Sequence, residues 1–548
     1  MNAGTAHIDS FARDNLPPES EWPTFLLDRP EFRYPARLNC AAELLDARVA
    51  AGEGDRLCFI GPNGQRWSYA DLQDKANRIA AVLTEDLGLV PGNRVMIRGA
   101  NNPMFMACWF GIAKAGGIVV ATMPLLRGQE LAVIAEKAEI ALALCDERLK
   151  EEMDAAQAQA PCLKRTVCYN GSGEKGAHAE LEDRMASKSG AFETCDTAAD
   201  DCVLIAFTSG TTGKPKGTMH FHRDVMAICD AFPRSVLKAR PDDIFIGSPP
   251  LAFTFGLGGL ATFPMRVGAA SILLERLPPE ELARAIERHR ATVCFTAPTA
   301  YRAMLNAIER YPLKSLRKCV SAGETLPKPT FVAWREATGI RIIDGIGATE
   351  MLHIFISAVE EEIKPGATGK PIPGYEARIV DDEMNEMPVG EVGRLAVRGP
   401  TGCRYLADPR QRDYVRDGWN LTGDAYLMDA EGYFHFQARA DDMIVSAGYN
   451  ISGPEVEAAL MSHPAVAECA VVGAPDADRG TIVKAFVMLA ADHPGDAAMA
   501  KTLQDHVKKV IAPYKYPRAV EFVTALPKTE TGKVQRFRLR RMEEERKG

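Results

Sequence analysis

The run Val203-Leu204-Ile205-Ala206-Phe207 is apolar throughout and passes directly into Thr208-Ser209-Gly210-Thr211-Thr212-Gly213-Lys214-Pro215-Lys216-Gly217. A short apolar run of this kind reads as a buried strand. The loop that follows crowds glycine, hydroxyls and lysine into ten residues. Glycine lets successive N–H groups converge, and a concavity of amides suits phosphate oxygens. The hydroxyls add donors and the lysines add charge. A Walker A loop is excluded, because no Gly-x-x-x-x-Gly-Lys-Ser/Thr spacing fits. The competing reading is a flexible surface turn, but ordinary turns do not stack hydroxyls this densely behind a buried strand.

At 548 residues the chain is too long for one ordinary core, so two or more domains are expected. Strand-like and helix-like segments alternate through the first four hundred residues. Val95-Met96-Ile97 precedes a helical stretch near Met104 to Lys114, and Gly117-Ile118-Val119-Val120 follows it. The amphipathic segment Glu280 to Arg290 leads into the apolar Ala291-Thr292-Val293-Cys294-Phe295. This alternation predicts βαβ units and an α/β fold with parallel-rich sheets. Residues Gly171 to Asp201 are polar and read as a variable surface connection. The pattern changes around Ala438 to Asp442, which places a boundary there: a large domain over 1–438 and a small α+β domain over 439–548 ending in the basic run Arg536 to Arg541.

The composition narrows the function. Apolar residues make up 46% and charged residues 25%, as in a globular protein, and the net charge of −8 argues against nonspecific binding to nucleic acid or anionic membranes. The 13 cysteines form no Cys-x-x-Cys pair and no zinc-type cluster; Cys108, Cys294 and Cys319 read as reduced core residues. Residues Met1 to Pro30 do not read as a signal peptide. The apolar stretch Ile112 to Leu126 is broken by Lys114 and Gly116-Gly117, too short to span a bilayer. A cytoplasmic protein is expected.

The loop closely resembles the phosphate loop of the adenylate-forming superfamily, and further motifs in the family's order extend that resemblance to Lys533. The fold it implies is a large N-terminal domain, a small mobile C-terminal one, and an active site between them. The activity it implies is ATP-dependent, with magnesium, and forms an acyl-adenylate. By the resemblance, Thr208, Ser209, Gly210, Thr211, Thr212, Gly213 and Lys216 hold the ATP phosphates. Asp344-Gly345-Ile346-Gly347-Ala348-Thr349-Glu350 resembles the family's Tyr-Gly-x-Thr-Glu motif, which makes Thr349 an α-phosphate contact and Glu350 the magnesium carboxylate. Ile346 replaces the aromatic residue that often stacks on adenine. Ala322-Gly323-Glu324 resembles the other wall of the adenine site. Thr422-Gly423-Asp424 resembles the ribose-binding element, with Asp424 accepting from both hydroxyls, Arg439 reinforcing it and Asp441 at the hinge. Alanine stands at 438, where the family usually has glycine. Lys533, in a lysine loop, would bridge the substrate carboxylate and the α-phosphate. Gly448 matches the glycine beside the CoA pantetheine, although relatives that carry a lysine just ahead of it have Val445 and Ala447 as counterparts here.

The acid is read from two segments. Gly247 to Thr262 contains no acidic residue, which argues against an α-amino acid, and the glycines between aromatics in Phe253-Thr254-Phe255-Gly256-Leu257-Gly258-Gly259 suit a flat slot. Gly347 to Phe355 resembles benzoate-type CoA ligases, in which a His-Ile pair, His353-Ile354 here, borders the ring, and Ala6 to Arg13 is similar to bacterial 2-aminobenzoate–CoA ligases. Thr254, Phe255, Gly256, Gly347, His353 and Ile354 are therefore the candidate pocket residues. A Thr254 hydroxyl satisfied on its own backbone and a hydrogen-bonded core His353 are the competing readings. An aryl-CoA ligase acting on a small aromatic acid, ATP and CoA, as monomer or homodimer, is the expectation. The alternatives are an adenylation enzyme loading a carrier protein, a medium-chain fatty acyl-CoA ligase, or an inactive nucleotide-binding homologue, the last disfavoured by the presence of Glu350 and Lys533.

Overall fold

The computed structural model describes residues 4–546 apart from 175, 209–214, 440–441, 447–448, 477–479, 492, 512 and 529–531. The chain divides into two compact units. The first comprises residues 1–326, 330–376 and 397–420; the second comprises 327–329, 377–396 and 421–548, and so takes in all of 439–548. The fold is α/β with parallel-rich sheets and a smaller second unit.

Two sheets build the first unit. Leu57–Ile60 (β1) and Arg66–Ser68 (β2) start one of them. The other is made next along the chain, from Arg94–Arg98 (β3), Ile118–Thr122 (β4), Leu142–Asp146 (β5), Arg165–Tyr169 (β6), Cys202–Thr208 (β7) and Lys216–Phe221 (β8). Its order is β6-β5-β3-β4-β7-β8, parallel except for β8. Ile244–Gly247 (β9), Ala270–Ile272 (β10), Val293–Thr296 (β11), Lys318–Ala322 (β12), Ile342–Gly347 (β13), Ile354–Ser357 (β14) and Lys370–Pro371 (β15) complete the first sheet. Its order is β15-β14-β13-β12-β11-β9-β10-β1-β2, with antiparallel strands only at its two edges.

Local sequence explains the elements. All five residues of β3 are buried, as a strand covered on both faces requires. The helix Pro103–Lys114 starts where the Asn102 side chain accepts the Phe105 N–H at 2.9 Å and proline takes the first turn, and every residue in it is buried. Its one charge, Lys114, pairs with Asp46. The apolar face of Pro279–His289 packs Leu282, Ala283 and Ile286 against β11 and β12, where Cys294 and Cys319 lie opposite each other. All 13 cysteines are free. The polar stretch 171–201 is more than a surface connection: it holds the helix Glu180–Ala186, which buries Leu181 and Met185. Its last residue, Asp201, is a buried anchor that accepts the N–H groups of Ala6 and Ala198 at 2.9 Å each. Among the described residues no helix is long and apolar enough to cross a membrane. In the second unit, strands Val466–Asp476, Gly480–Leu489 and Ala519–Phe522 form one sheet. The basic helix Arg536–Glu545 spends its charge internally, with Arg536 on Glu457 and Arg540 on Asp442.

The guanidinium of Arg404 and the carboxylate of Asp224 are fully inaccessible and ion-paired. Arg404 also donates to the Met219 carbonyl at 3.3 Å and lies 3.8 Å from the centre of the Phe221 ring. Asp224 in turn accepts the Phe221 N–H at 2.9 Å, capping the helix His222–Phe232. Removing one partner of such a pair strands the other. Asp224→Ala should therefore cost about 3–5 kcal/mol of unfolding free energy, read from urea denaturation. A loss below about 1 kcal/mol would mean that the pair anchors nothing.

Burial pushes three histidines down, His220 to about 4, His222 to about 3 and His353 to about 3. Their folded pKa values lie below the unfolded value, so the native state is favoured above about pH 6.5 and loses stability as pH falls toward 3–4. Each should contribute a loss of about 2 kcal/mol between pH 7 and pH 5. His353→Leu should remove one such share, so its pH 7 to pH 5 loss should be smaller by that amount. An identical loss in both proteins would contradict a buried neutral His353.

Candidate active site

The phosphate-loop motif sits on an antiparallel pair at the edge of the second sheet. Residues 209–215 join β7 to β8, and Thr208 and Lys216 are register partners at their ends. Ser209, Gly210, Thr211, Thr212 and Gly213 lie outside the described residues. Among the described residues the buried Thr208 hydroxyl has no hydrogen-bond partner.

The second motif links β13 to β14. Thr349–Met351 is a single 3-10 turn, and Leu352 closes it with φ +67°. A buried leucine there is strained unless its surroundings over-determine it. They do: the Leu352 N–H donates to the Thr349 carbonyl at 3.1 Å, and the Thr401 hydroxyl holds the Met351 carbonyl at 2.7 Å. The turn is tied to β8 as well. His220 Nε2 lies 2.8 Å from the Thr349 carbonyl. A carbonyl only accepts, so this neutral histidine carries its proton on Nε2.

Glu350 is 7% exposed, and two residues hold it. The Tyr405 hydroxyl donates to its Oε1 at 2.5 Å, and Lys216 Nζ lies 3.7 Å from the same oxygen. Lys216 also donates to the Tyr405 hydroxyl at 2.8 Å. Burial and the Glu350 charge raise the Tyr405 pKa far above its ordinary value, so the phenol stays protonated. Such a charge-assisted bond contributes about 1.5–3 kcal/mol. Sequence reasoning missed Tyr405, and His220 with it. The available signal was an arginine inside the otherwise buried run Cys403-Arg404-Tyr405-Leu406, since a charge in such a run implies a folded-back partner.

The proposed adenine walls are brought together by parallel pairing of β12 with β13, with Ser321 opposite Asp344 and Ala322 opposite Gly345. The Ser321 hydroxyl donates to Asp344 Oδ1 at 3.1 Å, yet burial still pushes the Asp344 carboxyl up to about 7. Gly323 follows at the end of β12, and Glu324 is partly exposed. Ile346, in β13, is partly exposed as well.

Of the pocket candidates, Phe255 is in ring contact with His353. The His353 ring lies 4.4 Å from Phe263 edge-on, 5.7 Å from Phe255 and 6.0 Å from Phe232. Phe255 also meets Phe295 at 5.6 Å. Among the described residues neither ring nitrogen meets hydrogen-bond geometry, and the Phe255 backbone is the polar group that acts on the ring. Burial keeps the imidazole neutral, opposed only by the Phe255 backbone. Gly258 is required beside it, because a Cβ there would lie 2.3 Å from His353 Cδ2. Thr254 opens the short helix Thr254–Leu257 and is partly exposed; Gly256 is buried, and Ile354 is buried at the start of β14.

The remaining candidates belong to the second unit. Asp424 lies opposite Arg439 across an antiparallel pair, with Arg439 Nη1 2.9 Å from Oδ1. Gly423 has φ +76° and places its Cα where a Cβ would meet that guanidinium at 2.8 Å. Ala438, opposite Ala425, is fully buried and is not among the positive-φ residues, so alanine replaces the family's usual glycine without strain. Lys533 is exposed, next to Gly532. Asp441 and Gly448 lie outside the described residues.

The chain was compared with known proteins. The family model described as "AMP-binding enzyme" matches residues 46–405, and that described as "AMP-binding enzyme C-terminal domain" matches residues 455–533. Benzoate–CoA ligase of Thauera aromatica is 36% identical over 518 residues, spanning 93% of this chain and 97% of that protein. A crystal structure of an anthranilate CoA ligase in complex with anthranoyl-AMP has a TM-score of 0.89 at 34% identity, covering 95% of this chain and 100% of that one. A benzoate CoA ligase from Burkholderia xenovorans LB400 has a TM-score of 0.82 at 30% identity, covering 92% and 100%. With the phosphate-loop strands, the Thr349–Glu350 turn and the Asp424–Arg439 pair in place, the chain belongs to the AMP-binding enzyme family, among its AMP-forming acid–thiol ligases.

Proposed function

We propose that this enzyme activates benzoate or 2-aminobenzoate with ATP as the acyl-adenylate, then transfers the aryl group to CoA with release of AMP and pyrophosphate. The observation that carries the choice of acid is the neutral His353, ringed by Phe232, Phe255 and Phe263 and bounded by Gly258. Aromatic walls favour a planar ring, and a neutral imidazole can accept from an ortho-amino group or donate to an oxygen. The absence of any acid from Gly247 to Thr262 disfavours an α-ammonium substrate. The similar benzoate and anthranilate ligases support the same choice.

Both reactants are anionic, so the site must neutralise charge and align them. In this reading Thr208 and Lys216, with the loop 209–213, receive the phosphates. Thr349 meets the α-phosphate. Ala322-Gly323-Glu324 and Asp344-Gly345-Ile346-Gly347 border adenine, and Asp424 with Arg439 takes the ribose. Lys533 supplies charge as the carboxylate attacks. Gly448 lies beside the pantetheine, Asp441 is the hinge, and 439–548 moves as one domain. Thr254, Phe255, Gly256 and Ile354 complete the ring slot.

Glu350 suits magnesium, a hard cation that commonly takes one or two carboxylates together with phosphate oxygens. It is a single carboxylate, and the described residues contain no cluster of three metal-binding side chains that would indicate a dedicated cage. When bound, the ion would neutralise phosphate charge during displacement. The free thiols support a reducing, cytoplasmic setting, and monomer or homodimer is the proposed state.

Pyrophosphate exchange across benzoate, 2-aminobenzoate, cinnamate and octanoate tests the reading. Benzoate or 2-aminobenzoate should exceed octanoate in kcat/KM by about tenfold or more, about 1.4 kcal/mol of transition-state binding. Lys533→Ala should lower exchange by about a hundredfold or more while passing pre-made benzoyl-adenylate to CoA at nearly the normal rate. Octanoate as the best acid would reject the aryl slot. Equal loss of both steps would remove Lys533 from its assigned role.

A further inference from the structure

Glu350 is approached unequally at its two oxygens. Oε1 takes the Tyr405 hydroxyl at 2.5 Å and faces Lys216 Nζ at 3.7 Å. Among the described residues nothing hydrogen-bonds Oε2. The phenol that makes this difference is itself fixed. Its hydroxyl accepts from Lys216 at 2.8 Å, and its ring meets Tyr414 edge-on at 5.7 Å. Its backbone N–H donates to Gln411 Oε1 at 2.9 Å. On either side the chain is stitched to β8: the Met219 N–H donates to the Arg404 carbonyl and the Leu406 N–H to the Gly217 carbonyl, each at 2.8 Å. The neighbouring Arg404 is locked by the buried pair with Asp224. So the strand that begins with Lys216 also sets the position of the tyrosine that holds Glu350.

We propose that Tyr405 is a positioning residue which, with Lys216, holds Glu350 by Oε1 so that Oε2 is presented to the divalent cation accompanying ATP. The inference rests on Glu350 as the metal carboxylate. A carboxylate that can rotate loses part of its cation affinity to the cost of being ordered, and a phenol already seated on one oxygen removes that cost before the ligand arrives. The same side chain in a merely structural role would support the turn and leave cation binding unchanged.

Tyr405→Phe keeps the ring and removes only the hydroxyl. ATP affinity measured by titration calorimetry at graded Mg2+, without acid or CoA, reads the effect without turnover, and Mn2+ paramagnetic resonance on the ATP complex reads the ion directly. In wild type Mg2+ should tighten ATP. In Tyr405→Phe the Mg2+ concentration that half-saturates this tightening should rise about tenfold, with metal-free ATP affinity within about twofold of wild type. Glu350→Gln should abolish the tightening, and adding Tyr405→Phe to it should change nothing more. An unchanged Mg2+ half-saturation in Tyr405→Phe overturns the proposal, as do additive losses in the double variant. If wild-type ATP affinity ignores Mg2+, the role given to Glu350 fails, and the positioning proposal falls with it.

Discussion

A carboxylate withdrawn from water must be held by donors or it unfolds its surroundings, and the site is organised around meeting that demand for Glu350. Its holders come from far along the chain. Lys216 starts β8, Tyr405 lies in a segment stitched against β8, and His220, also on β8, takes the carbonyl of the preceding Thr349. The strained Leu352 in the turn between β13 and β14 is fixed by its own N–H on the Thr349 carbonyl and by the Thr401 hydroxyl on the Met351 carbonyl. Beneath them the Arg404–Asp224 pair joins the tyrosine segment to the helix that follows β8. One edge strand of the second sheet thereby carries the end of the phosphate-loop motif and sets the geometry of the carboxylate.

Charge is graded across the site by environment rather than by residue type. Asp344 and Glu350 are both acids on the same β13 hairpin. The first has one hydroxyl donor and is raised by burial to about 7; the second has a phenol on it and an ammonium close by. His353 and His220 are both neutral at physiological pH. His220 donates to a backbone carbonyl, whereas His353 sits among aromatic rings with the Phe255 backbone acting on it.

The sequence made the alternating strands and helices legible because they depend on local periodicity. β3, the helix Pro103–Lys114 and β4 lie where the apolar runs place them, as do Pro279–His289 and β11. The Thr349–Glu350 turn and the Asp424 element were singled out for a different reason: each is a motif of a few adjacent residues that a resemblance can match. Tyr405 and His220 were not, since their roles come from pairing across distant segments that no spacing rule encodes. The helix Glu180–Ala186 escaped notice because it is short and buries only Leu181 and Met185, so its apolar signal was lost in a polar stretch. His353 was singled out by the resemblance, but its shell of Phe232, Phe255 and Phe263 is visible only in the fold.

In the proposed reaction the carboxylate oxygen of an aromatic acid attacks the α-phosphorus of ATP over the Glu350 turn. Benzoate labelled with 18O in its carboxyl group tests this directly when turned over with ATP and CoA, with mass spectrometry of the nucleotide product. The account predicts that AMP carries one labelled oxygen and that pyrophosphate carries none. Label in inorganic phosphate with ADP as the nucleotide product, or AMP free of label, would contradict it.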